Sequence, residues 1–371
     1  MTQGPFKNDS VGSFLRPTIL KEAREQYKKQ EITREALRAI EDEAIIDLIE
    51  KQQTYGLKAV TDGEFRRRWW HLDYIVNLTG LTKLSLGDAT IFQGVEAKDV
   101  ESYYVSDKIA FNPDHPFLKD FKFLKEHAGE AVAKQTIPGP CMVYFSGALL
   151  SKDYQANPVY DNLIDLENDI VKTYQDGIQA FYEAGCRYLQ LDDTAWGALI
   201  DAKYDQVLGS LNLKPQDLLT KFEELTRRSL ANKPADMAIT FHTCRGNFQS
   251  SWLYEGSFDT ILAHLFKIDE FDGFFIEYDS ERAGDFQVLA HLHQQKIVLG
   301  LVTSKTPGLE SLTDLMARVK EANQFVPLEQ ICVSPQCGFA STEEGNHLTE
   351  AEQWAKVQLC TDLAKEINNL G

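Results

Sequence analysis

Four side chains that can bind a soft divalent metal stand at or just after the ends of short apolar segments of the sequence. His242 and Cys244 stand at the end of one segment, Glu277 at the end of the next, and Cys337 just after a third. Two thiolates, an imidazole and a carboxylate favour zinc over magnesium or calcium, which prefer oxygen ligands. Because these donors are far apart in the sequence, only a large fold can bring them together. This favours a reactive zinc over a structural one.

The chemistry that such a site would support is alkyl transfer to a thiol. A zinc ion can hold a substrate thiol as a thiolate at neutral pH, although the unperturbed pKa of a thiol is about 8.5. Cysteine ligands donate electron density, so the captured sulfur would stay nucleophilic. If all four donors bind at rest, we expect the substrate to displace Glu277, because a carboxylate is the hardest donor in this set.

Each donor taken alone has a simpler explanation. His242 and Cys244 are two residues apart and would face the same way in a strand, but a histidine and a small buried cysteine also pack in cores. Glu277 could be an exposed or ion-paired carboxylate. Cys337, in a turn between a glutamine and a glycine, is harder to explain by packing. The zinc hypothesis therefore depends on the four side chains meeting at one place.

A repeating unit of helix, short apolar strand and polar strand end organises the chain around these donors. Amphipathic spacing predicts helices over 33–55, 165–184, 216–231, 258–267, 284–294 and 311–324. With a first strand at 11–14, eight strands are predicted, and their alternation with helices implies parallel pairing. The sequence thus predicts a single α/β domain over 1–371, a (β/α)8 TIM barrel more than an open doubly wound sheet. No Gly-x-Gly-x-x-Gly motif opens a helix, which weakens the open-sheet nucleotide-binding alternative.

The tract at about 66–130 does not follow the repeating unit. It is too long for a plain loop, so we expect an irregular insertion with hairpin-like pieces between the second and third strands, covering the top of the barrel. In barrel enzymes the chemistry lies at the carboxyl ends of the strands. Besides the four metal candidates, those ends carry Ser13, Glu64, Asp192 and Asp193.

Composition indicates the kind of partner and the cellular compartment of the protein. The formal net charge of −18 argues against a nucleic-acid surface, which needs clustered Lys and Arg, so a small molecule is the expected partner. No apolar stretch approaches the roughly 20 residues of a membrane span, and the first residues show no signal pattern. We therefore expect a cytoplasmic protein whose six cysteines are reduced thiols or metal ligands.

The order of the strand-end motifs resembles one known family. The motifs are Val11-Gly-Ser-Phe, Asp62-Gly-Glu, Pro138-Gly-Pro, Asp192-Asp, His242-Thr-Cys, Ile276-Glu and Ser334-Pro-Gln-Cys-Gly. In that order, and over nearly the whole chain, they resemble the catalytic barrel of cobalamin-independent methionine synthase. The His-x-Cys, Glu, Cys set is the specific part of the resemblance.

The resemblance implies zinc-dependent methyl transfer to homocysteine, giving methionine, with a methyltetrahydrofolate-type donor. By the same matching, His242, Cys244, Glu277 and Cys337 would be the zinc ligands. The amino-acid end of homocysteine would be held by Ser13, Glu64 and Asp192, because a desolvated ammonium needs compensating charge. Asp193 is a weaker candidate for this binding than Asp192, because its side chain points the other way if the strand continues. Without the resemblance, Glu64 and Asp192 could equally be surface or helix-capping carboxylates.

Two departures from the family concern the methyl donor and the proton that its leaving group needs. The full-length family enzyme has an additional N-terminal barrel that this sequence does not contain. Lys305 stands where the family has a histidine thought to deliver a proton, so Lys305 joins Asp192 as a catalytic candidate, with a surface lysine as the alternative.

A basic and aromatic run, 66–71, offers two further interpretations. Its three arginines could clamp an anionic donor such as a folate glutamate tail, with a tryptophan stacked on the ring of the donor. A solvated basic turn with aromatic barrel packing is the alternative.

Three rival functions remain open at this point. The same barrel and zinc site could use another thiol, such as coenzyme M, or a methylcobalamin-type donor. A decarboxylase of the uroporphyrinogen type would need no such metal set. A thiol-sensing or thiol-storing zinc barrel would bind homocysteine without turnover.

Overall fold

The computed structural model describes residues 4–280 and 283–370, and its centre is a curled parallel β-sheet. The strands are β1 (Ala59–Val60), β2 (Thr79–Phe92), β3 (Val95–Ala110), β4 (Val132–Pro138), β5 (Tyr188–Asp192), β6 (Ala238–Thr243), β7 (Gly273–Glu277), β8 (Lys296–Val302) and β9 (Ile331–Pro335). Seven of them form the parallel sheet, in the order β1-β4-β5-β6-β7-β8-β9, while β2 and β3 form a separate antiparallel pair. The α/β class is confirmed.

Helices lie before, between and after the strands of the sheet. They are α1 (Thr18–Lys28), α2 (Arg34–Thr54), α3 (Leu72–Ile75), α4 (Pro116–His127), α5 (Pro140–Tyr144), α6 (Lys152–Ala156), α7 (Leu163–Glu183), α8 (Ala202–Ser210), α9 (Pro215–Leu230), α10 (Asp259–Leu265), α11 (Leu312–Ala322) and α12 (Glu350–Asn368). With helices packed around the sheet, every residue of β5, β6 and β7 is buried, which is consistent with the mainly apolar composition of these strands. Among the described helices, none is both long and apolar enough to cross a membrane.

The register of the parallel sheet places the polar strand ends side by side. Asp192 at the end of β5 pairs with His242 on β6, and Glu277 at the end of β7 pairs with Gly300 on β8. Since neighbouring parallel strands run in the same direction, these side chains emerge at the same edge of the sheet.

The first predicted strand, 11–14, is not a regular strand in the structure. The N-terminal segment instead makes two isolated parallel bridges, Asn8 with Val333 of β9 and Ser13 with Gly63 after β1. It therefore lies between the two edge strands of the sheet, but the glycine at position 12, with φ of +135°, interrupts the regular ladder. The prediction of eight strands is not confirmed, since the parallel sheet of the described residues has seven.

The tract at 66–130 is more regular than the sequence suggested. It contains α3, the long hairpin of β2 and β3, and α4, and it lies between the neighbouring sheet strands β1 and β4. The hairpin turns at residues 93–94, where Gly94 adopts φ of +72° and Phe92 pairs with Val95. Buried positions recur along β3, because one face of the hairpin packs on the rest of the molecule.

The predicted helix at 284–294 is wrong. Only a short 3₁₀ turn, Gln287–His291, forms there. Leu292 already has an extended backbone and the chain enters β8 at Lys296, so too few residues remain for a full helix.

Candidate metal centre and substrate cavity

Three of the four predicted metal ligands meet at the carboxyl edge of the sheet. The ligand atoms of His242, Cys244 and Cys337 all lie within 4.8 Å of one another, and all three residues are buried. The two Sγ atoms of Cys244 and Cys337 are 3.8 Å apart. The end of β6 delivers the first two residues, and the turn after β9 delivers the third.

His242 is oriented toward this cluster by Asp192. The Nδ1 atom of His242 lies 2.8 Å from Oδ1 of Asp192, and Gln190 donates to the same oxygen from 2.8 Å. A proton on Nδ1 leaves the lone pair on Nε2 free, and this buried Nε2 atom has no hydrogen-bond partner. A carboxylate behind a histidine in this way is the usual support for a metal-binding imidazole.

The cluster fits a zinc ion. Two sulfur atoms, each about 2.3 Å from a zinc ion with tetrahedral geometry, would lie about 3.8 Å apart, which matches the separation of Cys244 and Cys337. An unpartnered imidazole nitrogen faces the same place, and the mixture of nitrogen and sulfur donors is the one that zinc prefers.

Without a metal, the side chains of the cluster would differ in their affinity for protons. The hydrogen bond shared with Cys244 lowers the pKa of the Cys337 thiol well below its usual range, with help from His242 and Lys305. Burial lowers the pKa of His242, but the hydrogen bond with Asp192 and the adjacent Cys337 outweigh burial and raise that pKa to about 10. An imidazolium–thiolate pair results, so the binding of a metal here would release protons.

Glu277 does not belong to the cluster. Its Oε1 forms a buried ion pair with Arg245, and its Oε2 accepts a hydrogen bond of 2.7 Å from Nε2 of Gln336. Burial raises the pKa of this carboxyl, but the Arg245 guanidinium and the nearby Lys305 ammonium more than compensate, so the net shift is downward. Glu277 is therefore an ionised carboxylate engaged by protein donors.

A cavity of about 210 Å³ adjoins the cluster and contains most of the predicted substrate-binding residues. Ser13, Glu64 and Asp192 line it, together with His242, Cys244 and Cys337. The Ser13 hydroxyl lies against the turn that carries Cys337, where it accepts a hydrogen bond of 3.3 Å from the backbone N–H of Ala340.

Glu64 presents an unpaired carboxylate oxygen in this cavity wall. Its Oε1 accepts a hydrogen bond of 2.8 Å from Thr136 and lies 3.1 Å from the Arg67 guanidinium, whereas Oε2 is buried without a partner. Burial raises the pKa of Glu64 to about 7 against the opposing effect of Arg67, and Asp192 adds to the increase. The residue also has φ of +60°, a strained conformation for a non-glycine residue that is common at functional sites.

Two other predicted site residues are absent from the described cavity lining. Asp193 is fully buried, and its carboxylate accepts hydrogen bonds of 3.0 Å from the backbone N–H group of Cys141 in α5 and from that of Ala195 in the turn after β5. Burial raises the pKa of Asp193 to about 7.

The interpretation of Lys305 as a surface lysine is wrong, because its side chain is buried. Its ammonium donates hydrogen bonds to Oδ1 of Asn247 and the carbonyl of Ser251, both at 3.1 Å, and to the carbonyl of Gly246 at 3.4 Å. Lys305 does not line the cavity.

The three arginines of the basic run form ion pairs within the protein. Arg66 pairs with Asp42 and Asp120, Arg67 with Glu64, and Arg68 with Glu101 and Glu343. The side chains of Arg66 and Arg67 are only 4% and 3% exposed, whereas that of Arg68 is 32% exposed. None of the three arginines is among the described residues that line the cavity, so their positions lend the clamp for an anionic tail no support.

The aromatic residues that follow the arginines do form part of the cavity wall. Trp69, Trp70 and His71 line the cavity, and so do Phe92 and Tyr103 from the β2–β3 hairpin. Sequence analysis did not identify the two hairpin residues, because nothing in an alternating strand pattern indicates which ring will face a distant site.

Comparison with known proteins places this site in a family. Residues 142–365 match the family described as cobalamin-independent synthase, catalytic domain. The chain belongs to this family. The matched range contains His242, Cys244 and Cys337 of this cobalamin-independent synthase homologue, while Ser13 and Glu64 precede that range.

Several individual proteins resemble the chain over almost its full length. The uncharacterized protein YxjG of Bacillus subtilis is 43% identical, with 98% of this chain and 95% of YxjG covered. A Listeria monocytogenes structure, provisionally assigned as a vitamin-B12-independent methionine synthase, is 39% identical with a TM-score of 0.76 and 99% of both chains covered. The B12-independent methionine synthase of Shewanella sp. W3-18-1 was solved with selenomethionine and has a TM-score of 0.71 at 16% identity. The match covers 99% of this chain and 98% of the Shewanella chain, and it shows that the two proteins share a fold.

Proposed function

We propose that the chain transfers a methyl group to the thiol of homocysteine and releases methionine. The observation that carries this proposal is the adjacency of the His242, Cys244 and Cys337 cluster to a cavity lined by Ser13, Glu64 and Asp192. In this proposal, the thiol would bind at the cluster and the amino-acid ammonium would bind in the same cavity. Membership of the cobalamin-independent synthase family supports the same reaction.

The amino-acid end of homocysteine would bind at Glu64 and Asp192. Oε2 of Glu64 has no partner within the protein, and an ammonium is the group that best satisfies a buried carboxylate oxygen. Such binding would also favour the ionised form of Glu64, because a nearby positive charge lowers the pKa of a carboxyl. Ser13 lies on the same wall and is suited to the carboxylate end. The related Shewanella enzyme was solved with selenomethionine, an analogue of the methylated product proposed here.

A zinc ion held by His242, Cys244 and Cys337 would supply a Lewis acid that keeps the homocysteine thiol ionised at neutral pH. Asp192 fixes the tautomer and direction of His242, and this second role makes it a positioning residue as well as part of the cavity wall. Glu277 stays a candidate fourth ligand, which could join only by exchanging its bonds with Arg245 or Gln336.

The rival acceptor coenzyme M fits this cavity less well. It has no ammonium for Glu64 and Asp192, and it carries a sulfonate. Among the described residues that line the cavity there is no lysine or arginine to bind such an anion.

A methyltetrahydrofolate-type donor is the one that the family resemblance implies. Its nitrogen leaving group must be protonated, and Lys305 was the candidate source of that proton. The Lys305 ammonium donates to three protein oxygens and does not line the cavity, so its geometry lends this assignment no support.

The experiment that tests the proposal combines zinc analysis with a homocysteine methylation assay on the zinc-loaded protein. We expect about one zinc per chain in the wild type and its loss, together with methionine formation, in His242→Ala and Cys337→Ser. Cys332→Ser is the matched control, because Cys332 is a buried free cysteine outside the cluster. Zinc retained by both ligand variants would refute the metal centre.

A further inference from the structure

The charge of the cavity wall restricts the kind of methyl donor that can enter. Three acidic residues, Glu64, Glu101 and Asp192, are among the described lining residues, whereas no lysine or arginine is. Arg67 pairs with Glu64 without lining the cavity, and Glu101 is held by Arg68 and Lys83. A polyglutamylated donor would bring several negative charges to this wall without meeting a cation, which costs desolvation energy.

Aromatic rings form the part of the wall nearest the hairpin. Ring centroids of Trp70 and His71 are 4.8 Å apart, and those of His71 and Tyr103 are 6.0 Å apart. The Tyr103 hydroxyl donates a hydrogen bond of 2.9 Å to the carbonyl of Met142, which fixes its ring. Burial lowers the pKa of His71 to about 4, so this ring is neutral at pH 7 and does not repel a cation. Neutral aromatic faces attract onium groups such as quaternary ammonium ions.

The reaction itself also favours a cation, given the proposed function on which this inference rests. The reacting homocysteine sulfur is anionic, and the proposed ammonium contacts use the acidic groups nearest to it. A positively charged donor is attracted to that thiolate, while an anionic donor is repelled.

We propose that the methyl donor is permanently cationic, either a methylsulfonium or a methylated quaternary ammonium compound, bound against Trp70, His71 and Tyr103. An electron pair of the homocysteine thiolate forms the new S–CH3 bond. The bond between the methyl group and the onium atom breaks, and its electron pair stays with that atom. The leaving group departs as a neutral thioether or tertiary amine, so it needs no proton. This removes the requirement for the proton donor that Lys305 does not provide from the cavity wall.

Donor profiling with the zinc-loaded protein tests this class directly. We would supply homocysteine with S-methylmethionine, glycine betaine, triglutamylated 5-methyltetrahydrofolate or methylcobalamin and measure methionine. If methionine forms with S-methylmethionine, the donor is a sulfonium compound. If it forms with glycine betaine, the donor is a quaternary ammonium compound. Formation from the folate or methylcobalamin alone, or from none of the four, overturns the donor class.

A binding measurement separates this proposal from the proposed function. Tetramethylammonium should quench tryptophan fluorescence, whereas its neutral counterpart tert-butanol should not. Release of a proton when homocysteine binds to the zinc-loaded protein reports the thiol site independently of any donor. Proton release without donor turnover or tetramethylammonium binding would refute only the donor class, and absence of proton release would refute the proposed function.

Ring-conserving and ring-deleting variants locate the donor site. Trp70→Leu should raise the KM for the cationic donor by about 3- to 30-fold, while Trp70→Phe should raise it less. Tyr103→Phe, which keeps the ring and loses the bond to Met142, provides the second test and should stay close to wild type. Equal KM values for all three variants and the wild type would contradict the placement against these rings.

Discussion

Asp192 accepts the hydrogen bond that leaves His242 with a free nitrogen at the metal cluster, and 2.8 Å separates Oδ1 from Nδ1. The partnership arises from the register of β5 and β6, which pairs the two residues across the sheet. Orientation of the imidazole is therefore built into the sheet itself. The same carboxylate also lines the substrate cavity, so occupancy of the cavity and ligand strength at the centre are coupled through one side chain.

Removal of this support should weaken metal binding. We expect Asp192→Asn to lower zinc affinity by about 10- to 100-fold, because the amide no longer fixes the imidazole tautomer with a charged acceptor. Competition with a chromophoric chelator measures the affinity. Asp176→Asn, at an exposed carboxylate on α7, is the control. Wild-type affinity in Asp192→Asn would show that His242 needs no such partner.

Glu277→Gln should separate a structural ion pair from a metal ligand. In the metal-free protein we expect a loss of stability of about 3–5 kcal/mol, since the substitution breaks the buried ion pair between Glu277 and Arg245. Urea unfolding gives the stability, and zinc analysis of the refolded variant gives the metal content. If Glu277 only balances Arg245, zinc stays close to one per chain; zinc loss equal to that of His242→Ala would instead make Glu277 a resting ligand.

Glu64 should make stability depend on pH. Its folded pKa is raised from the ordinary 4.5 to about 7, so between these values the folded state keeps a proton that the unfolded state has lost. Stability contributed by the protonated form is therefore present below pH 4.5 and is lost as pH rises through about 7, by about 3 kcal/mol in all.

Glu64→Gln should flatten this part of the pH profile. Urea titrations of the wild type and the variant from pH 4.5 to 8 measure the effect, with Glu96→Gln at an exposed position as the control. Parallel profiles for the wild type and Glu64→Gln would show that this carboxyl does not titrate as described.

Lys305→Met should act through structure. Its removal leaves Oδ1 of Asn247 and the Ser251 carbonyl without their ammonium donor, at a cost of about 1–3 kcal/mol. We expect lower thermal stability and a higher KM for homocysteine, because Asn247 lines the cavity. The shape of the kcat–pH profile should not change; loss of its basic limb would restore Lys305 as a proton donor.

The sequence was sufficient to identify the part of the site that depends on strand ends. His242, Cys244 and Cys337 could be predicted to meet because parallel strands deliver their carboxyl ends to one edge of a sheet. The outcome differs for Glu277 and Asp193, whose hydrogen-bond partners come from other elements. Spacing in a sequence predicts the direction of a side chain. It does not show whether a neighbouring guanidinium or backbone N–H group binds that side chain and so keeps it from the predicted site.

Fold prediction was limited in the same way by long-range contacts. The helices α2, α9 and α11 match their amphipathic segments, since their periodicity is local. The segment at 11–14 pairs through isolated bridges, and Tyr103 reaches the cavity from a hairpin, so both depend on contacts with residues distant in sequence. Aromatic spacing alone could not show that Trp70, His71 and Tyr103 share one wall.

The separation of Cys244 and Cys337 by 93 residues has a consequence for biosynthesis. When the ribosome has synthesised β6 and Cys244, the turn after β9, which carries Cys337, is still to be translated. The nascent polypeptide therefore cannot complete this candidate zinc pocket until the turn after β9 has emerged from the exit tunnel. Metal acquisition is expected to follow the synthesis and folding of β7, β8 and β9.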